Sequence, residues 1–166
     1  DEAYAEFSKE SSAIALLKDL PNVLVCRTMS KAFAFAGARL GYLAADAVII
    51  QALQLVRLPY HLSSLTQAAA ETALEFQDEL QSEVQHLIRD REFVSSEINK
   101  MGLKAIQSDA NFLLFTGFKD SSHVLWEKLL AAGVLIRDVG LPGYLRVTIG
   151  NDAENKLFLK ALKEAL

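Results

Sequence analysis

The chain has a single cysteine, Cys26, among 166 residues. An internal disulfide is therefore excluded, and a reducing, cytoplasmic setting is expected. No apolar run approaches the length of a membrane span, and no secretory signal is present. The formal net charge is -4, so basic charge gives no case for nucleic acid or an acidic membrane surface. The three histidines, His61, His86 and His123, lack metal-ligand spacing, and no metal site is expected. There is no repeat and no low-complexity segment. The chain opens at Asp1 without methionine, in residues that read like the end of a strand, so an amino-terminal portion is expected to precede it.

What is present is ordinary globular material, 51% hydrophobic and 23% charged. Ile14, Leu17 and Leu20 recur at helical spacing over 9–20 before Pro21. Val23 to Cys26 is a short apolar run suited to a strand buried on both faces, as in a parallel sheet, with Cys26 in the core. Gly41 to Ala44 reads as another strand. Asp46 suits the N-cap of a helix reaching about Arg57, and Ser63 or Ser64 caps an alanine-rich helix.

From Leu80 to Met101 the apolar positions follow one helical face, ending at Gly102. A helix is expected over 121–132 with Gly133 beyond it. Strands are expected at Val134 to Arg137 and Tyr144 to Ile149, joined through Leu141-Pro142-Gly143. Asn151 and Glu154 have capping-box spacing for a last helix. The chain thus reads as two parts. Residues 1–76 alternate strand and helix without closing a sheet, and 77–166 form a small α+β unit of about four strands and three helices.

The segment Ser30-Lys31 to Arg39-Leu40-Gly41-Tyr42 carries the chemistry. A lysine at a turn after a buried strand can be reached by a carbonyl. Ser30 can donate to a phosphate, Arg39 can bind one bidentately, and Gly37 and Gly41 permit close backbone approach. Taken alone, Lys31 reads as a solvated lysine and Arg39 as a surface ion-pair partner. Asp1-Glu2-Ala3-Tyr4 alone reads as an acidic loop with a packing tyrosine. In company, Asp1 suits the ring nitrogen of a pyridine cofactor and Tyr4 its ring hydroxyl.

Asp1-Glu2-Ala3-Tyr4, then Ser30-Lys31-Ala32-Phe33, then Ala36-Gly37-Ala38-Arg39-Leu40-Gly41-Tyr42, resembles the class II branch of the fold-type I pyridoxal-phosphate aminotransferases. Arg57 to Ser63, Thr66 to Ala70 and Leu145 to Gly150 narrow the resemblance to the histidinol-phosphate aminotransferase family, and it runs through the whole chain. The family's usual Ala-Phe-Gly is Ala32-Phe33-Ala34 here.

The resemblance implies an α/β fold: part of the large cofactor domain, with strand–helix units of a mainly parallel sheet over 1–76, then a small α+β carboxy-terminal domain over 77–166. It implies pyridoxal 5'-phosphate as cofactor and Lys31 as the catalytic, Schiff-base lysine. Asp1 would pair with the ring nitrogen, Tyr4 with the phenolic oxygen, and Ser30 and Arg39 with the phosphate. Arg146 would grip the acidic group of the substrate. The implied substrates are histidinol phosphate and glutamate/2-oxoglutarate, and the implied assembly is a homodimer. An aromatic amino acid aminotransferase of the same branch, or an inert folded fragment, are the alternatives. Weak or absent activity is expected of this chain by itself.

Arg137 and Arg146 flank the Leu141-Pro142-Gly143 turn. Symmetric pairing about that turn would set them opposite each other, which is unfavourable unless an anion lies between. Two arginines could then serve both a phosphate and a carboxylate. The alternative is that Arg137 pairs with Asp138 or another surface carboxylate.

Overall fold

The computed structural model describes residues 1–166. It shows a mixed α/β chain in two compact units, Asp1–Val84 and Gln85–Leu166.

In the first unit, β1 (Leu24–Thr28) pairs antiparallel with β2 (Gly41–Ala45), in register from Leu24 opposite Ala45 to Thr28 opposite Gly41. The expected parallel, doubly buried strand is thus corrected for this segment. Only Val25 of the run is buried, while Leu24 and Cys26 are exposed, so burial alternates with the strand period. Cys26 is accordingly not a core residue.

Helix α1 (Ala47–Val56) follows, its first turn closed by the Asp46 carboxylate accepting from Val48 N–H. Helix α2 (Ser64–Glu75) has Ser63 as its N-cap. The helix expected over 9–20 is reduced to a 3₁₀ segment, Ala13–Lys18. Ser12, which starts it, is also bound to Glu2 and Arg27, and this ties the segment down at its beginning.

Helix α3 (Gln77–Lys100) contains the division between the units and ends at Gly102, whose φ of 82° is the left-handed conformation glycine adopts freely. The second unit adds β3 (Lys104–Ala105), β4 (Phe112–Thr116), α4 (Ser122–Ala131), β5 (Arg137–Asp138), β6 (Tyr144–Thr148) and α5 (Asp152–Ala165). Its four strands form one antiparallel sheet in the order β3-β4-β6-β5.

Alternation builds this core. Leu113 and Phe115 of β4 and Leu145 and Val147 of β6 are buried and meet Leu129 of α4 and Phe158 of α5. The intervening residues, Phe112, Leu114 and Arg146, point to the other face. Asn151 and Glu154 make the reciprocal capping box at the start of α5. Trp126 is only partly buried and donates its indole N–H to the Ile136 carbonyl, 2.9 Å. That bond leads residues 133–136 over α4. Strand pairing therefore begins only at Arg137, and a cleft of about 460 Å³ opens between residues 133–136, the end of β6 and α5.

Candidate active site

The β1–β2 pairing fixes the lysine loop. Beyond the Thr28–Gly41 rung, Met29 N–H donates to the Leu40 carbonyl, 3.1 Å, and Phe35 N–H to the Met29 carbonyl, 3.0 Å, so the ladder gives way to a loop that begins at Ser30 and ends at Arg39. A Cβ at Gly41 would stand 2.8 Å from the Arg27 carbonyl oxygen; only glycine lets the strands close there. Ser30 N–H donates to the Thr28 hydroxyl, 3.1 Å, and the two hydroxyls lie 2.9 Å apart.

Lys31 comes next and is exposed. Ala34 N–H closes a turn onto the Lys31 carbonyl, and Arg39 Nη1 donates to the Ala36 carbonyl, each 3.0 Å. Ala34 and Arg39 both hold φ of 53°, a conformation costly for residues with a Cβ. Two of the chain's three such residues thus sit in one short loop, as strain does where geometry serves a site. Phe33 faces away from the turn into an apolar cleft of about 350 Å³, with Met29, Leu40, Tyr42 and α2 residues Ala70 and Leu74.

Tyr4 reaches the lysine from the chain start. Glu2 N–H donates to the Cys26 carbonyl, 2.8 Å, laying this segment alongside β1. The Asp1 carboxylate accepts from Ala3 N–H, 2.9 Å. Lys31 Nζ stands 5.7 Å from the centre of the Tyr4 ring, within cation–π range.

Sequence reading missed what holds this segment. Glu2 Oε2 accepts from Arg27 Nε (3.0 Å) and Nη2 (2.9 Å), while its other oxygen accepts from Ala13 N–H. The Ser12 hydroxyl donates to Glu2, 2.9 Å. Arg27 Nη1 also lies 3.8 Å from Glu6 Oε1. Burial pushes the Glu2 carboxyl up, but the Ala13 N–H, the Ser12 hydroxyl and the Arg27 guanidinium outweigh it and hold it below the usual carboxylate range. Burial pulls Arg27 down, and Glu2 and Tyr42 outweigh that in turn, leaving it raised. The available signal was Arg27 itself, a charge within an otherwise apolar strand, which demands a partner.

In the second unit, Arg137 and Arg146 are direct partners across β5 and β6. The Arg146 guanidinium carbon lies 4.7 Å from the centre of the Phe112 ring, and its buried Nε has no hydrogen-bond partner. The Asp138 carboxylate is turned to the loop, where it accepts from Gly140 N–H, 2.9 Å. Phe112 was not anticipated from sequence, although its alternation with Leu113 already put it on the arginine face.

A strand pair whose connecting loop carries an exposed lysine beside a phenol, a hydroxyl and a guanidinium fits the class of lysine-dependent cofactor enzymes. Residues 1–162 match aminotransferase class I and II, and the chain belongs to that family. It is 61% identical over 162 residues to histidinol-phosphate aminotransferase of Mycolicibacterium smegmatis, a match covering 97% of this chain and 42% of that protein. The chain thus spans well under half the length of this relative.

Among solved structures it resembles histidinol-phosphate aminotransferase from Sinorhizobium meliloti in complex with pyridoxal-5'-phosphate. The TM-score is 0.86 and the identity 32%, over 99% of this chain and 47% of that one. L-threonine-O-3-phosphate decarboxylase from Porphyromonas gingivalis is similar with a TM-score of 0.87 and 26% identity, over 99% of this chain and 53% of that one.

Proposed function

We propose that this chain supplies the lysine loop and the substrate-gripping arginines of a pyridoxal-phosphate aminotransferase. The enzyme would move an amino group between histidinol phosphate and 2-oxoglutarate/glutamate, as a step in histidine biosynthesis. The observation that carries the reading is Lys31 beside the Tyr4 ring just past β1, in the loop that joins β1 to β2 and also carries Ser30 and Arg39.

The donor set fits the cofactor. Lys31 offers an exposed amine for its aldehyde. Tyr4 offers a phenol for the ring oxygen, and Asp1 a carboxylate for the ring nitrogen. Ser30 and Arg39 offer a hydroxyl and a guanidinium for its phosphate. Bound there, pyridoxal phosphate supplies an electron sink that lets an amino acid lose its α-proton. With the cofactor held there, the Lys31 amine would take that proton from the α-carbon as general base and deliver it, as general acid, to the cofactor carbon that bore the aldehyde. Arg146, backed by Phe112, orients the substrate through its acidic group, and Arg137 on the same rung adds a second positive charge for a phosphate.

The 61% identity to a histidinol-phosphate aminotransferase supports this substrate over others of the branch. The decarboxylase likeness favours one rival, a phosphate-bearing amino acid that loses its carboxyl group. We place the whole enzyme in the cytoplasm as a homodimer; its single cysteine in this region agrees with a reducing compartment.

The test is to load the whole enzyme with pyridoxal phosphate, reduce with borohydride and map the labelled peptide by mass spectrometry. A label on Lys31, with glutamate formed from histidinol phosphate and 2-oxoglutarate, is expected. A label elsewhere removes Lys31 from its role, and carbon dioxide release in place of amino transfer favours the rival.

A further inference from the structure

We infer that Arg27 is a positioning residue, a clamp that fixes Tyr4 relative to Lys31 by gripping the carboxylates on both sides of Tyr4. The inference deepens the reading above and rests on it.

Glu2 and Glu6 lie two residues before and after Tyr4, and one guanidinium meets both: Glu2 at 2.9 Å and Glu6 at 3.8 Å. All three side chains are largely shielded, with 19% exposure for Arg27, 15% for Glu2 and 10% for Glu6. Charges withdrawn from water this far are poor devices for stability alone, since apolar residues of similar volume do as well or better. What they do supply is direction. Arg27 Nε and Nη2 both point at Glu2 Oε2, and Nη2 also donates to the Ser12 hydroxyl, 2.9 Å.

Arg27 lies on β1, four residues before Lys31, so the lysine and the clamp share one stretch of backbone. The Glu2 N–H bond to the Cys26 carbonyl joins the other side of the assembly to the same strand. With buried Phe7 just beyond Glu6, the Asp1–Phe7 segment is held before, at and after Tyr4. The backbone on both sides of Tyr4 is thus tied to the strand that leads into Lys31. A lysine in place of Arg27 would keep the charge but lose the fork that reaches several acceptors at once.

The experiment uses the whole enzyme loaded with pyridoxal phosphate, comparing wild type with Arg27→Lys and Glu6→Gln. The readouts are the visible circular dichroism of the bound cofactor, which reports its orientation, and kcat and KM taken separately. For Arg27→Lys, a cofactor dichroism changed by about twofold and a kcat lowered about tenfold are expected, with KM for the amino donor nearly unchanged. Glu6→Gln should move both in the same direction by less.

A folded Arg27→Lys enzyme with wild-type dichroism and kcat would overturn the clamp. If Arg27→Lys does not fold, Glu6→Gln decides: a changed dichroism supports the clamp, and an unchanged one overturns it. Borohydride labelling of the wild type away from Lys31 would instead sink the underlying reading of the lysine, so the two failures are told apart.

Discussion

Arg137 and Arg146 face each other on one rung of the β5–β6 ladder. Two like charges so placed repel, and an anion between them reverses the sign. Arg137→Ala in the whole enzyme should weaken the histidinol phosphate half-reaction more than the glutamate half-reaction. A loss of about tenfold or more in kcat/KM is expected for the phosphate substrate, corresponding to removal of one charge-assisted contact. Single-turnover kinetics of both half-reactions check this, and equal losses in the two would refute the division of labour.

Arg146→Lys tests the planar fork rather than the charge. Lysine cannot stack on the Phe112 ring or bind a carboxylate bidentately. Both half-reactions should fall together, by about one to two orders of magnitude in kcat/KM. A change confined to one substrate would show that Arg146 is not their common anchor.

Glu2 carries a pH signature. Its carboxyl is held below the ordinary value in the folded chain, so the stabilisation it contributes is complete above that ordinary value. It is lost as pH falls through the lowered one. Acid unfolding followed by circular dichroism should therefore be steeper in wild type than in Glu2→Gln, with the two differing little in slope above the carboxylate range. Parallel profiles throughout would mean that Glu2 keeps an ordinary pKa.

Gly41→Ala addresses the strand closure beneath the lysine loop. The added Cβ would press on the Arg27 carbonyl oxygen, a backbone atom that cannot rotate aside. A destabilisation of about 1–3 kcal/mol is expected from this overpacking. Denaturant unfolding measures it, and borohydride labelling of Lys31 should fall alongside. Full stability would show that the hairpin has slack at this rung.

In the second unit, Asn151→Ala removes the N-cap of α5 and should cost about 1 kcal/mol. Asn151→Asp should be nearly neutral, since a carboxylate caps as well and favours the helix N-terminus. Thermal melts of the three proteins distinguish the cap from a general effect of substitution.

The features legible in the sequence were those set by local chemistry. The Asp46, Ser63 and Asn151 caps, and Gly102 and Gly133 beyond their helices, all follow from rules spanning a few residues. The Arg137–Arg146 pairing was legible too, because a turn at Leu141-Pro142-Gly143 leaves few symmetric registers. What escaped depends on distant partners. The run at Val23–Cys26 is equally apolar whether its neighbour is parallel or antiparallel. Ser12 looked like part of a helix, but it serves a carboxylate ten residues back in the chain. Arg27 and Glu2 are 25 residues apart, and no periodicity joins them.

The lengths of two strands give the paired arginines unlike mechanical standing. Arg146 sits in the middle of β6, which is stitched to β4 through five rungs and to β5 through two. Arg137 has only those two rungs, and the chain leading into it runs free of β6 beside an open cleft. Displacing Arg146 means tearing the sheet; displacing Arg137 means slipping a short edge. As the proposed anion site, the pair would work like a vice with one fixed jaw and one sliding jaw, closing on anions of different girth without disturbing the frame that carries it.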